Sequence, residues 1–305
     1  MDSNNQAHKI FWVTLRSAII NVILGVFKLI AGFAGNSAAM IADAIHTFTD
    51  LITDTTVIFF TKYKARAADY HHDYGRGKIE TLTTVVIGFV ILAIGIAVFY
   101  HGVVDVIGYI KGETLQSPGY IALIAAIISA VIKEWSFHHT IKSAAKSDSI
   151  TLISNAWHHR SDAFSSVMTA LFIAGAIFLG EGWRVLDPIA VIVVSLFIMR
   201  VASHLIIDSA QVLIEESLPD EKENQIAQVC LQEEGVKDVR KVNTRLIGRD
   251  VAIEVFVTMP ANDTVEQAHR RSLNIEDKLI ELFGVDTYVN VHIEPDSKEQ
   301  TNINT

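Results

Sequence analysis

Long apolar segments dominate the first two thirds of this chain, and they restrict it to folds in which most of the polypeptide crosses a lipid bilayer. A helix needs about 20 mostly apolar residues to span the hydrocarbon core of a membrane. Glycine, proline and charged residues separate six segments of that length, at 11–34, 39–61, 79–104, 117–140, 151–179 and 186–209. The sequence therefore predicts a multi-pass α-helical membrane protein with six transmembrane helices.

The positively charged residues of the loops predict how these helices are oriented. Lys and Arg accumulate in the short loops on the cytoplasmic side of a membrane. The second and fourth loops contain Lys62, Lys64, Arg66, Arg76, Lys78, Lys142 and Lys146. The loops on the opposite side contain only Lys111 and Arg184. We therefore expect both termini to be cytoplasmic and the protein to lie in the inner or plasma membrane.

The composition of the chain changes after residue 214. Charged residues make up 19% of the whole chain, against about 25% in an ordinary soluble protein, because the six apolar segments hold few of them. Residues 215–296 instead have the pattern of a soluble α-β-β-α-β domain. We predict a cytoplasmic segment at 1–10, a transmembrane domain at 11–214, a cytoplasmic α+β domain at 215–296 and a disordered tail at 297–305.

Charge and cysteine content exclude several classes of function. The net charge is −9 and no basic surface is visible, which argues against a nucleic acid partner. The only cysteine, Cys230, excludes an internal disulfide framework and a zinc cluster built from cysteines.

Ionisable residues inside two predicted helices carry the strongest functional signal, because such residues are costly in a bilayer and usually functional. The second helix has His46 and Asp50 on one face, and the fifth has His158 and Asp162 on one face. Residues four apart are neighbours on a helix surface, so each pair can reach one ion. The two pairs lie at similar depth and together supply the four ligands that a tetrahedral Zn²⁺ accepts. The alternative is that they only hold the helices together, which leaves four desolvated ionisable groups without compensation.

Two other polar residues of the predicted helices receive structural interpretations. Lys28 is expected to extend its side chain outward to the membrane surface, and Asn21 to contact a neighbouring helix.

Three segments, Ala42–Asp50, Tyr74–Glu80 and His158–Asp162, resemble the signature segments of the cation diffusion facilitator family, which includes zinc efflux transporters. The resemblance covers almost the whole chain. It implies a ferredoxin-like fold for the C-terminal domain, and a homodimer that exchanges a divalent metal ion for protons by alternating access. It also implies that the transport site is formed by His46, Asp50, His158 and Asp162.

The resemblance favours zinc as the transported ion, because a histidine at the position of His46 accompanies a zinc preference in that family. Fe²⁺ or another divalent metal is the alternative. Protons are plausible counter-ions on physical grounds, since imidazole titrates near neutral pH and must be deprotonated to hold a metal.

Two further metal sites follow from the resemblance. The family's loop site would be at Asp69 and His72, but Arg76 replaces its last histidine, and an arginine cannot bind a cation. The family's cytoplasmic site, with a regulatory role for the ion, would be at Glu254, His269, His292 and Glu294.

We also expect a charge pair between Asp43 and Lys78 to join the second and third helices.

Two other functions remain open at this stage. One is a metal-sensing scaffold with the same fold. The other is an intramembrane metalloenzyme, against which the lack of an H-E-x-x-H segment argues. We expect a secondary transporter and not an enzyme.

Overall fold

The computed structural model describes residues 3–62, 70–147, 150–248 and 250–296. Six long helices come first along the chain: α1 Ser3–Ala34, α2 Ala38–Lys62, α3 Gly77–Ile110, α4 Tyr120–Ser147, α5 Ile150–Phe178 and α6 Leu186–Leu213. They coincide with the six predicted segments and extend beyond several of them. Five helices of the described residues are long and apolar enough to cross a membrane, and they comprise all of the six except α2. The predicted fold class is confirmed.

The chain divides into two compact units. The helical unit comprises Met1–Lys62 and Val86–Ile206, and the α+β unit comprises Tyr63–Val85 and Ile207–Thr305.

Helices α1, α2, α4 and α5 form the group that carries the candidate ligands of the helical unit. Helix α1 packs against α2 and α4, α4 packs against α5, and α2 contacts α5. Small side chains fill the interior of this group, among them Ala31, Ala39, Ala122 and Ala126, which are almost fully buried. Lipid provides no hydrophobic force between helices, so association depends on such close packing.

Glycines repeat every seven residues along α3 where it packs on α6. A Cβ atom built at Gly88 would lie 2.6 Å from a side-chain carbon of Ile206, and one at Gly95 would lie 2.8 Å from Met199. At Gly102 the corresponding distance to Ile192 is 3.0 Å. Larger residues at the first two positions would force the helices apart, because real Cβ atoms do not approach so closely.

The α+β unit has the predicted α-β-β-α-β order. Its elements after α6 are α7 Asp220–Leu231, β1 Asp238–Ile247, β2 Asp250–Met259, α8 Val265–Phe283 and β3 Tyr288–Pro295. Strand β2 is central, antiparallel to β1 and parallel to β3. Helix α8 begins with a capping box between Thr264 and Gln267, in which each side chain accepts a hydrogen bond from the other's backbone N–H.

One face of this sheet is covered and the other is open. The side chains of Ile253, Val255 and Val257 pack with Ile226 of α7 and Ile275 of α8 to form the hydrophobic core. Successive side chains of a strand point to opposite faces. The even-numbered residues of β2 and β3 therefore lie on the face opposite the two helices.

Candidate metal site

Helices α2 and α5 bring candidate ligands from both predicted pairs together. One ligand atom each from His46, Asp50 and Asp162 lies within 4.8 Å of the other two. In a tetrahedral site, two ligands that each lie about 2.0–2.2 Å from a zinc ion are about 3.3–3.6 Å apart. The three groups therefore need to move inward by about 1 Å to bind one tetrahedral ion.

The fourth predicted ligand, His158, lines the same cavity but is less enclosed. Its Nε2 atom lies 3.9 Å from Oδ2 of Asp162, and Nδ1 of His46 lies 3.8 Å from Oδ1 of Asp50. Both contacts join residues four apart on a helix, as the sequence spacing predicts. The side chain of His158 is 41% exposed, whereas those of Asp50 and Asp162 are 5% and 6% exposed.

The cavity has a volume of about 230 Å³ and is lined by all four predicted residues. Helix α6 contributes an apolar wall to it, through Val193, Val194 and Phe197. Electrostatic attraction is stronger in such apolar surroundings than in water. The arrangement can therefore strip a small cation of water and hold it between two carboxylates and two imidazoles.

A lysine that the sequence analysis did not single out also contacts the site. The ammonium of Lys133, on α4, donates hydrogen bonds to Oδ2 of Asp162 at 2.6 Å and to Oδ1 of Asn21 at 2.8 Å. Lys133 is completely buried. An ionisable residue inside a predicted transmembrane helix was the signal that could have revealed it. The expected helix contact of Asn21 is confirmed.

The expected orientation of Lys28 is wrong, because its side chain points into the helical unit. Lys28 is 1% exposed, and its ammonium lies 2.7 Å from Oδ2 of Asp43 on α2. It also donates hydrogen bonds to the hydroxyls of Thr47 and Ser166. An ammonium with three acceptors needs no access to the membrane surface, since burial of a charge is costly only when it lacks partners.

The predicted pair between Asp43 and Lys78 would join the two units and stays a prediction. The structure gives each residue another partner in its own unit: Asp43 pairs with Lys28, and Lys78 donates a 2.8 Å hydrogen bond to Glu215. Helix α1 packs directly on α2, so Lys28 reaches Asp43 across that interface. The hydrogen bond from Lys78, together with Arg245 nearby, lowers the pKa of Glu215.

A carboxylate of α6 fixes the beginning of the helix that carries His46 and Asp50. Asp187 accepts a hydrogen bond from the Ser37 hydroxyl at 2.6 Å and from the backbone N–H of Ala38 at 2.8 Å. The first N–H groups of a helix lack partners within the helix, and a carboxylate also interacts favourably with the helix dipole. Asp187 therefore positions α2 relative to α6, whose side chains line the cavity.

The motif Tyr74–Glu80 has a structural role in the α+β unit. A Cβ atom at Gly77 would lie 2.5 Å from the carbonyl oxygen of Ile247, so only glycine allows this approach of the β1–β2 turn to the start of α3. The ring of Tyr74 contacts that of Tyr288 on β3, with 5.3 Å between centroids. The resemblance identified this motif, and the structure shows what two of its residues do. Its glycine allows the close approach to Ile247, and its tyrosine packs on Tyr288.

The predicted loop site stays a prediction. Asp69 lies outside the described residues, and His72 is exposed.

The candidate ligands of the α+β unit do not form one cluster within the described part of this chain. On the open sheet face, Glu254 accepts hydrogen bonds from Asn243 at 3.1 Å and Asn290 at 3.4 Å. There too, Glu294 forms a 3.1 Å ion pair with Arg240, and the ring of His292 packs on Phe256. The fourth residue, His269, is exposed on α8, and α8 covers the opposite face. This site also stays a prediction.

Comparison with known proteins places these features in context. The family model described as cation efflux transmembrane domain matches residues 14–214, and the one described as cation efflux protein, cytoplasmic domain, matches residues 218–296. The manganese efflux system protein MneP of Bacillus subtilis is 28% identical over 287 residues, which are 93% of this chain and 95% of that protein. An uncharacterised transporter of Methanocaldococcus jannaschii is 30% identical over 278 residues, covering 91% of this chain and 96% of that protein.

Magnetosome proteins are among the matches. The magnetosome protein MamM of Magnetospirillum gryphiswaldense is 27% identical over 264 residues, covering 86% of this chain and 80% of that protein. A solved structure of the MamM CTD in a nickel form is 20% identical, with a TM-score of 0.24, and covers 26% of this chain and all of its own.

Proposed function

This chain belongs to the cation diffusion facilitator family and is a divalent metal efflux transporter, and we propose that zinc is its preferred ion and protons its counter-ions. The observation that carries this proposal is the group formed by His46, Asp50 and Asp162 in one cavity with His158. Each of its two helices contributes one nitrogen and one oxygen ligand. The site is not a catalytic centre, and the chain is not an enzyme.

The donor set supports zinc over manganese. Imidazole nitrogen suits Zn²⁺, which accepts four tetrahedral ligands, whereas Mn²⁺ favours six ligands that are mostly oxygens. Two imidazoles and two carboxylates match the first preference. The manganese named in the relative from Bacillus subtilis, and Fe²⁺, are the ions against which zinc must be compared.

Proton exchange follows from the same ligands. A metal ion binds imidazole only when the ring is neutral, so metal and proton compete for His46 and His158. A proton taken up on one side of the membrane lowers metal affinity there and promotes release. We propose that the protein is a homodimer with both termini in the cytoplasm, in which this competition drives alternating access.

The proposal is tested by zinc flux in proteoliposomes that contain the purified protein. Asp50→Ala and Asp162→Ala each remove a carboxylate ligand and should reduce zinc-driven proton movement to the level of empty liposomes. Asp208→Ala is the matched control, because Asp208 is an exposed carboxylate on α6 that does not line the cavity. Flux retained in the Asp162→Ala protein would contradict the site and would favour a metal-sensing scaffold.

Metal preference is tested in the same vesicles by competition. Manganese or iron in excess should reduce zinc flux only weakly if zinc is preferred. A manganese flux that exceeds zinc flux at equal concentration would overturn the choice of zinc and leave divalent metal efflux intact.

A further inference from the structure

A buried cation already occupies part of the metal site. The ammonium of Lys133 lies 2.6 Å from Oδ2 of Asp162, which is one of the three grouped ligands. Lys133 has no exposed surface, and Asp162 is 5% exposed. A divalent ion that binds Asp162 must therefore compete with a positive charge fixed to the protein.

The other buried lysine of the helical unit shows what a purely structural pair looks like. The ammonium of Lys28 has three acceptors, Asp43, Thr47 and Ser166, one for each of its hydrogens. Within the described chain, the ammonium of Lys133 has two, Asp162 and Asn21. The pair with Asp162 is therefore less completely enclosed by hydrogen bonds than the pair with Asp43.

The surroundings of Lys133 offer it other acceptors. Ser129 and Ser136 lie one turn before and one turn after it on the same face of α4. Their hydroxyls are buried and have no hydrogen-bond partner among the described residues. The amide oxygen of Asn21 is already within 2.8 Å of the ammonium. Lys133 can thus release Asp162 and keep acceptors for its charge without leaving the helical unit.

The charges of the site give this movement a consequence. With both carboxylates ionised and both imidazoles neutral, Asp50, Asp162 and Lys133 together carry one negative charge. A bound divalent ion changes the sum to one positive charge, whereas without Lys133 the loaded site would be neutral. Repulsion between the ion and a nearby ammonium is strong in apolar surroundings. Lys133 therefore weakens metal binding and favours release.

We propose that Lys133 is a positioning residue of the metal site, an internal cation that holds Asp162 until a divalent ion displaces the ammonium toward Asn21 and the serine hydroxyls. This inference rests on the proposed function, because it assumes that Asp162 is a ligand of the transported ion.

The test measures zinc affinity of the full-length protein by competition with a fluorescent chelator. Lys133→Met should bind zinc roughly ten-fold more tightly or more, because a nearby positive charge is removed. Zinc flux should show a lower KM together with a lower maximal rate, since a tightly held ion leaves slowly. The control is Lys142→Met, which removes an exposed lysine of the same helix.

A second variant keeps the inference testable if Lys133→Met fails to fold. Asn21→Leu removes the other acceptor, which should hold the ammonium on Asp162 and weaken zinc binding by roughly ten-fold or more, in line with the loss of one hydrogen bond to a charged group. A purely structural role for Lys133 would lower thermal stability in both variants without moving the two affinities in opposite directions.

The outcomes separate this inference from the function on which it rests. If Asp162→Ala leaves zinc binding and flux unchanged, the proposed site is wrong. If Asp162→Ala abolishes both, the site stands. The inference about Lys133 is then overturned if a folded Lys133→Met protein binds zinc no more tightly than the unmodified one. In the absence of a folded Lys133→Met protein, unchanged or tighter zinc binding by Asn21→Leu overturns it.

Discussion

Four candidate ligands lie on helices α2 and α5 of the helical unit, and four lie on α8, β2 and β3 of the α+β unit. In the helical unit, all four line one cavity, and its two carboxylates are almost completely buried. In the α+β unit, Glu254 and Glu294 are engaged with neighbouring side chains, and His269 belongs to a different face.

The two groups of candidate ligands differ in how many tertiary contacts are needed to bring their members together. A spacing of four residues on a helix brings two side chains together without any tertiary contact, so α2 and α5 have only to pack on each other. Residues of a sheet and of a helix that covers its other face have no such relation. Burial adds a second difference, because a charge in apolar surroundings needs a partner, whereas an exposed charge does not.

The largest effect should follow from breaking a buried pair of the helical unit. Lys28→Met leaves the carboxylate of Asp43 buried without its cation, which should cost about 3–5 kcal/mol of stability. Thermal unfolding of the detergent-solubilised protein would measure this loss. Lys28→Met combined with Asp43→Leu removes both charges and should recover most of it. Lys142→Met, at an exposed position, should change stability by no more than about 0.5 kcal/mol.

In the α+β unit, the comparable test is Glu233, which is 8% exposed. Burial raises the pKa of its carboxyl, but hydrogen bonds from Asn274 and from the ammonium of Lys278 outweigh burial, so the pKa lies below its usual value. Glu233→Gln should destabilise this unit by about 1.5–3 kcal/mol, as expected for loss of hydrogen bonds to a charged group. Amide hydrogen exchange of β2 in the full-length protein would report it.

The pH dependence of that effect has a definite sign. A carboxyl whose pKa is lowered by folding stabilises the folded state above its unfolded pKa of about 4.5, and this contribution is lost as the pH falls through the folded pKa. The difference in protection between the unmodified protein and Glu233→Gln should therefore be constant near neutral pH and shrink below about pH 4.5. A difference that grows with acidity would contradict the role of the carboxylate.

Replacing a histidine by aspartate should alter the metal selectivity of transport in the helical unit and not in the α+β unit. His46→Asp replaces a nitrogen donor by an oxygen donor and should relax discrimination against cadmium, raising the cadmium-to-zinc flux ratio by roughly ten-fold, which corresponds to about 1.4 kcal/mol. His269→Asp makes the same replacement at an exposed position of α8 and serves as the control. Equal ratios in the two variants would remove the argument for zinc that rests on His46.

The smallest effect is expected from the open sheet face. Glu254→Gln, His292→Gln and Glu294→Gln combined should leave zinc flux at saturating zinc within about two-fold, as for other surface substitutions. The number of zinc ions bound per chain, measured on the same protein, would decide whether these residues hold a separate regulatory ion. A loss of flux as large as that expected for Asp50→Ala would contradict the view that only the candidate ligands of the helical unit are needed for transport.

The sequence predicted most accurately what depends on local spacing. His46 with Asp50 and His158 with Asp162 were identified because α-helical geometry makes residues four apart neighbours. The order of helices and strands in the α+β unit was predicted because apolar and polar side chains alternate along the strands. Lys28 was interpreted wrongly and Lys133 was missed, because the rotational position of a helix within a bundle decides whether a long side chain points to lipid or to the interior.

For this protein, the sequence alone determined the number of helices, which follows from the length of the apolar segments. It also determined the order of the α+β elements and the two candidate ligand pairs, which follow from a period of 3.6 or two residues along one element. Only the tertiary structure decided which residues meet between elements: Asp43 with Lys28, Lys78 with Glu215, and Asp162 with Lys133. Partners of buried charges are chosen by packing, because desolvation requires a partner but does not specify which one. The candidate ligands therefore follow from local spacing, whereas the charges that surround them follow from tertiary packing.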